Sequence, residues 1–367
     1  MSNPKKAKVK ICIVTSSLGK GGAEKSSAVL SVLLNSLGYE VHIVSVLDVI
    51  DYAYKGTLLN LGALKKEDDS VFGKVKRFYV FFNYLKTQKF NFIIDSRSRP
   101  TVLKQFLINK LLYVNQKVIF IVHSFFLNNY IPENKFIAHY LYKKSFKFVT
   151  VSKAIKSKLV SKYHLNNVHV IHNAVNKPEV SSIADLSVPT DNYILFFGRI
   201  EDSVKNLTLL IESYKRSILK DKNIKLVILG EGGDKVKLEQ KVQVMGLTEY
   251  ILFFQYTKNP YPIVSKAMFT VLTSKYEGFP TMLVESLSQG TPVISVNCQS
   301  GPSEIITEAQ NGLLVANNNP DLMAEAMNRF VTDNELYAFC KNNAKMSVEK
   351  FNIENISNDW KQLIESV

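Results

Sequence analysis

Glu277 and Glu285 stand eight residues apart in Tyr276-Glu277-Gly278-Phe279-Pro280-Thr281-Met282-Leu283-Val284-Glu285. Just ahead, Met268 to Ser274 is apolar and β-branched, which predicts a buried strand. Gly278 and Pro280 mark a turn, and Pro280 suits the first turn of a helix, where its missing N–H costs nothing. Thr281 to Gln289 predicts that helix, closed by Gly290 and Pro292. Glu277 then falls on a loop at a strand's carboxyl end and Glu285 on the following helix. The helix start between them offers free backbone N–H groups, an anion site. Two carboxylates for hydroxyls around a cradle for phosphate suit a sugar nucleotide. Two surface glutamates with no chemistry remain the competing reading of this run taken alone.

Arg199 and Lys205 follow a second predicted strand, Tyr193 to Gly198, on its connection to the next helix. A guanidinium and an ammonium so placed could clamp a diphosphate and stabilise it as it departs. Ordinary surface charge is the alternative. Near the start, Gly21 and Gly22 stand between a strand and a helix, where missing side chains let a backbone approach a phosphate. The run Gly19 to Ser26 has the outline of a phosphate loop, but Glu24 replaces its second glycine and would repel a phosphate. A plain tight turn fits as well. His123 ends the apolar run Val118–Val122, where an imidazole could bond a sugar or a reacting oxygen, or serve structure alone. No Asp-x-Asp occurs and the histidines show no ligand spacing, so no metal site is expected. Charge on a departing phosphate would then fall to Arg199, Lys205 and helix N-termini.

The elements that must hold these residues alternate along the whole chain. Val9 to Thr15 predicts a buried strand, Ala23 to Leu37 a helix ended by Gly38, and Glu40 to Val46 the next strand. Phe92-Ile93-Ile94, Val118 to Val122 and Phe148 to Val151 fit further parallel strands. The rhythm restarts with the strand Tyr193 to Gly198, the helix Leu207 to Ser217 and the strand Lys225 to Gly230. Two βαβ series imply an α/β protein with two Rossmann-like, doubly wound parallel sheets. The polar, proline-bearing segment Asn176 to Asp191 reads as the linker. Domains are therefore expected at 1–180 and 181–348, with a last helix at 349–367. Ligands of such sheets bind beyond the strands' carboxyl ends, here in a cleft between two lobes.

Length and charge narrow the function. A chain of 367 residues is long for one core, and its 46% apolar and 21% charged content is that of a soluble globular protein. Cys12, Cys298 and Cys340 are scattered, which suits a reducing cytoplasm. The basic start, Met1 to Lys8, lacks a signal peptide's apolar core, and no run approaches the roughly 20 apolar residues that span a bilayer. Residues 1–185 hold 28 Lys and Arg against 11 Asp and Glu, while residues 186–367 hold 18 against 21, giving the net +14. A polyanion or an anionic membrane is the partner such asymmetry suits. Between Phe72 and Lys86, cations alternate with large apolar residues at helical spacing, and a second basic-aromatic stretch runs from Lys135 to Phe148. These read as membrane-surface elements or as core-facing helices with solvated lysines. No nucleic-acid recognition module is visible.

As a set, the residues resemble the family-4 retaining glycosyltransferases of the two-Rossmann-domain GT-B fold. The matching pieces begin with Gly21-Gly22-Ala23-Glu24, Val151-Ser152-Lys153 and Val170-Ile171-His172-Asn173-Ala174-Val175. Phe197-Gly198-Arg199 with Lys205-Asn206-Leu207, Leu229-Gly230-Glu231-Gly232, Glu277 to Glu285 and Gly301-Pro302-Ser303-Glu304 complete them, in the family's order and across nearly the whole chain. Within the family the chain is most similar to bacterial enzymes that extend lipid-linked glycans. Transferases adding N-acetylgalactosamine to undecaprenyl-linked oligosaccharides are one example, and capsule or lipopolysaccharide outer-core assembly fits equally.

The resemblance implies roles for these residues. Arg199 and Lys205 would hold the donor diphosphate, Glu277 would face the donor sugar's hydroxyls, and Glu285 would bind the nucleotide ribose. Gly278, Phe279, Pro280, Thr281, Met282 and Leu283 would form the turn whose backbone meets sugar and phosphate, with Gly198 and Gly230 on adjoining donor loops. Gly21 and Gly22 would lie near the phosphate, and His123 near the sugar's reacting face. It further implies a nucleotide-sugar donor, most simply a UDP-sugar, a front-face reaction without metal or other cofactor, and a glycan or lipid-linked glycan acceptor. Attachment to the inner face of the plasma membrane through the basic amino lobe follows from the same likeness. An inactive GT-B scaffold and a sugar-nucleotide epimerase stay open as alternatives.

Overall fold

The computed structural model describes residues 8–19, 21–175 and 192–366. They form two compact units, one running to Ala174 and taking in the chain from Ile353, the other spanning Val175 to Asn352. The expected linker, Asn176 to Asp191, and the expected boundary at 180/181 lie outside the described residues.

The first unit is built on β1 (Lys10–Thr15), β2 (Glu40–Ser45), β3 (Thr57–Asn60), β4 (Phe92–Asp95), β5 (Val118–Val122), β6 (Lys147–Thr150) and β7 (Val168–Val170). Every pairing is parallel, in the order β3-β2-β1-β4-β5-β6-β7. The central strands β1, β4 and β5 are near-continuous Val, Ile and Phe because helices cover both faces of such a sheet. The order reverses between β1 and β4, which makes that edge the switch point. Right-handed crossovers place the Gly22–Ser36 helix on one face. They place the Val71–Gln88, Val102–Leu107, Lys135–Tyr142 and Lys153–Tyr163 helices on the other. Side-chain caps fix three of these starts: Ser70 accepts from Gly73 N–H, Asn134 from Phe136 and Ile137, and Ser152 from Ile155. The last helix, Ile353–Glu365, lines a small cavity with Leu30 and Leu33 through Ile356 and Trp360. Lys147 Nζ fastens it by donating to Leu363 O at 2.8 Å.

The second unit carries β8 (Tyr193–Phe197), β9 (Lys225–Leu229), β10 (Ile251–Phe254), β11 (Thr270–Leu272), β12 (Val293–Val296) and β13 (Gly312–Val315). They too are all parallel, ordered β10-β9-β8-β11-β12-β13, with the switch point between β8 and β11. The α/β architecture of two doubly wound parallel sheets is thus the one the sequence implies.

Two local expectations need correction. Pro280 is not in the first helical turn: its ψ of 89° is non-helical, so it is the N-cap and Thr281 starts the helix, which ends at Ser288. The Lys135–Phe148 stretch is not one helix either. It stops at Tyr142, Ser145 Oγ donates to Tyr142 O at 2.6 Å, and the chain enters β6 because Phe148 belongs in the core.

Candidate functional site

In the second unit the residues singled out by sequence gather at the β8/β11 switch point. After β8 the chain passes Gly198 and Arg199, makes a one-turn helix, Asp202–Lys205, and turns at Asn206 with φ 51° and ψ 47°, a left-handed geometry that asparagine tolerates. Lys205 closes that short helix, on the strand-to-helix connection where the sequence places it. After β11 the chain runs through Thr273 to Glu277. These two crossings are laced together. Thr273 Oγ1 donates to Lys205 O at 3.0 Å, Lys275 N to Val204 O at 2.9 Å, and Lys205 Nζ to Glu277 Oε1 at 2.6 Å. The lysine and glutamate side chains are 21% and 11% exposed, so solvent screens this ion pair only in part. Cys298 lies in the same neighbourhood: burial first, and then the Glu277 charge, push its thiol up to about 12.

The Glu277–Pro280 turn is held from outside. Glu277 N donates to Gln299 O at 3.4 Å and Ser300 Oγ to Gly278 O at 2.7 Å. Phe279 is buried edge-on against Phe351 with centroids 5.0 Å apart. Gly301, at φ 103°, closes on Pro280, where any Cβ would fall 2.3 Å from Pro280 Cδ. Thr281, Met282 and Leu283 then form the helix's first turn, with Leu283 in the core, and Glu285 is buried on the same helix. Arg199 is mostly exposed and paired to Glu201 Oε2 at 3.2 Å. Gly230 ends β9 against Gly198: a Cβ there would sit 1.9 Å from Gly198 O. Two cations, a buried-side carboxylate and a helix start so arranged can hold an anion beside hydroxyl groups.

In the first unit, Gly21 is the extended N-cap of the Gly22–Ser36 helix and its carbonyl accepts from Lys25 N at 2.9 Å. His123 directly follows β5. Its Nε2 bonds Ser96 Oγ at 2.8 Å, and Ser96 Oγ bonds Ser27 Oγ at 2.8 Å, a chain that crosses the β1/β4 switch point. His123 Nδ1 is sealed from solvent without a hydrogen-bond partner. Burial, and then the nearby Arg99 charge, push the imidazole down to about 3, so the ring is neutral at any working pH.

Beneath it lies a cluster the sequence reading missed. Arg97 grips Asp95 through Nε at 3.0 Å and Nη2 at 2.6 Å. Arg99 donates to Asp95 O, Arg97 O and Ile121 O, and its guanidinium stacks over Phe120 and Tyr130. Burial raises the Asp95 carboxyl, but the Arg97 charge and hydrogen bonds and then Arg99 more than offset this, leaving it below the usual carboxylate range. A signal was present: Asp95-Ser96-Arg97-Ser98-Arg99 is a charged run directly after an apolar strand. Among the described residues no group of three His, Cys, Asp or Glu is placed to hold a metal.

The family model for "Glycosyl transferases group 1" matches residues 179–347. The chain is also 30% identical to the Campylobacter jejuni N-acetylgalactosamine-N,N'-diacetylbacillosaminyl-diphospho-undecaprenol 4-alpha-N-acetylgalactosaminyltransferase, over 95% of this chain and 98% of that protein. This chain belongs to the group 1 glycosyltransferases. Its fold matches other GT-B members of known structure. Staphylococcus aureus TarM, as a mutant solved with Fondaparinux, alpha-GlcNAc-glycerol and UDP, aligns at TM-score 0.76 and 15% identity over 97% of this chain and 99% of that one. Anabaena HepE in complex with UDP-glucose aligns at 0.75 and 17% over 98% and 100%. At such identities the likeness establishes the fold alone.

Proposed function

We propose that this glycosyltransferase moves a hexose or N-acetylhexosamine from a nucleotide sugar, UDP-linked, to a hydroxyl of a lipid-linked or polymeric glycan, with retention at the anomeric carbon. The observation that carries the reading is the Lys205–Glu277 contact across the β8/β11 switch point, where ligands of such sheets bind. The UDP bound to TarM and the UDP-glucose bound to HepE support the donor, and the diphospho-undecaprenol in the Campylobacter relative's name supports the acceptor.

In this reading the bond from the anomeric carbon to the diphosphate breaks with its electron pair going to the phosphate oxygen. Arg199, Lys205 and the Thr281 helix start meet the charge that grows there. Glu277 accepts from the sugar's hydroxyls and Glu285 from the ribose. The acceptor hydroxyl attacks from the face the diphosphate leaves, and its proton passes to the departing phosphate oxygen. Neutral His123 serves as a hydrogen-bonding group and not as an acid. Two cations at the diphosphate do the work for which other transferases recruit a metal. The enzyme then works at the inner face of the plasma membrane, where its lipid-linked acceptor is held.

Lys205→Ala and Glu277→Ala test this. Each is expected to lower acceptor glycosylation by roughly 10²–10³-fold while the circular dichroism spectrum stays native. Full activity in either variant refutes the assignment. Acceptor-independent release of nucleoside diphosphate would point to an epimerase or hydrolase, and native folding without turnover to a scaffold.

A further inference from the structure

More than half of the large apolar side chains exposed among the described residues fall in three short segments of the first unit, 71–82, 102–114 and 136–140. All three lie on the same face of the sheet, on successive crossovers. They touch one another there: the Val71–Gln88 helix packs on the π-helical turn Ile108–Leu112, which continues the Val102–Leu107 helix. Phe106 stacks on Tyr140 with centroids 6.0 Å apart and planes 14° apart, and Asn109 Nδ2 donates to Leu141 O at 2.7 Å. Their unpartnered side chains are large: Phe72 is 85% exposed, Leu103 69% and Phe136 87%, with Tyr79, Leu107 and Leu111 between them. A face of this size on one side of a soluble domain marks a binding surface.

The charge around it says what binds. From Val71 to Val114 the sole acidic residue is Asp95, which is buried and consumed by Arg97 and Arg99, and residues 134–178 contain none. Lys110 and Lys143 hold their ammoniums over the Tyr140 ring at 5.1 and 5.7 Å. Partial burial, followed by the Arg97, Lys65 and Arg77 charges, depresses the Lys104 ammonium. Aromatic and aliphatic side chains ringed by lysines, with the marginal acid Asp69 already paired to Arg77 and Lys65, match an anionic bilayer surface. No helix among the described residues is long and apolar enough to cross a membrane.

We propose that this three-segment face seats the first unit on anionic phospholipid, with Phe72, Tyr79, Leu103, Leu107, Leu111 and Phe136 entering the headgroup region and the surrounding lysines meeting lipid phosphates. The inference deepens the lipid-linked acceptor reading and rests on it for its purpose, but its test reads binding alone, so either can fail without the other. Flotation of the full chain is measured with phosphatidylcholine vesicles and with vesicles enriched in phosphatidylglycerol, at low and high salt. Binding is expected with the anionic vesicles, weaker at high salt, and reduced roughly tenfold by each of Phe72→Glu and Leu103→Glu. Val244→Glu, on an equally exposed apolar residue of the second unit, is expected to leave binding unchanged. A native circular dichroism spectrum for each variant guards against misfolding. Equal binding to neutral vesicles, unchanged binding of Phe72→Glu and Leu103→Glu, or a dimer in sedimentation that these substitutions dissolve would each overturn the proposal.

Discussion

His123 gives a prediction whose size follows from the structure. An unfolded histidine takes up its proton near pH 6.5. Here burial and Arg99 push the folded value down to about 3. The folded value is the lower one, so below pH 6.5 the unfolded chain binds a proton that the folded chain refuses. Stability contributed by neutral His123 is complete above pH 6.5 and is lost progressively as pH falls towards 3. At about pH 4.5, roughly two units into that window, the loss is about 3 kcal/mol. Other carboxyls titrate there too, so the assay compares wild type with His123→Asn by urea denaturation at about pH 7.5 and 4.5. Wild type is expected to lose about 3 kcal/mol more than the variant over that interval. The baseline cost of the substitution cancels in this comparison. Parallel losses would refute the part-buried, neutral imidazole, as would a His123 ring proton that titrates near pH 6 by NMR.

Two further outcomes follow from packing and burial. Gly230→Ala places a methyl group 1.9 Å from Gly198 O, so the ends of β8 and β9 must move apart, whereas Gly233→Ala meets open space. The first is expected to cost about 1–3 kcal/mol in denaturation and at least tenfold in donor turnover, the second to stay within about 0.5 kcal/mol of wild type. Cys12, Cys298 and Cys340 are all buried with their thiols raised by burial, so a thiol reagent at about pH 8 is expected to modify none in the native chain and all three in denaturant. Rapid native labelling of Cys298 would mean that the Lys205–Glu277 region is open.

Much of this was legible in the sequence. Buried parallel strands such as β1, β5, β8 and β9 are continuous apolar runs, and their ends came out within a residue or two. The motif order around Arg199, Lys205 and Glu277 carried the family. Strands β3 and β7 escaped because they are short edge strands, partly exposed and mixed in composition, so neither periodicity nor an apolar run marks them. β10 and β12 escaped although both are largely apolar, because four residues are too few to tell a strand from a helical segment. The Asp95–Arg97–Arg99 cluster escaped for a different reason: charged residues read as surface unless their partners are known, and these lie on β4, β5 and the segment after them. Likewise the Ser27–Ser96–His123 chain joins residues 69 and 27 positions apart, which only the β1/β4 adjacency brings together. The apolar run at 102–114 was passed over because its helix is short and turns π-helical at Ile108, breaking the spacing that marked the Phe72–Lys86 stretch.

The central claim is that the β8/β11 switch point binds a nucleotide sugar for transfer. Acceptor-stimulated release of nucleoside diphosphate from a panel of sugar nucleotides, with a lipid-linked glycan as acceptor, tests it most directly. One UDP-sugar is expected to support release that depends on the acceptor and collapses in Lys205→Ala. Release from no sugar nucleotide, or release indifferent to both acceptor and Lys205, would contradict it.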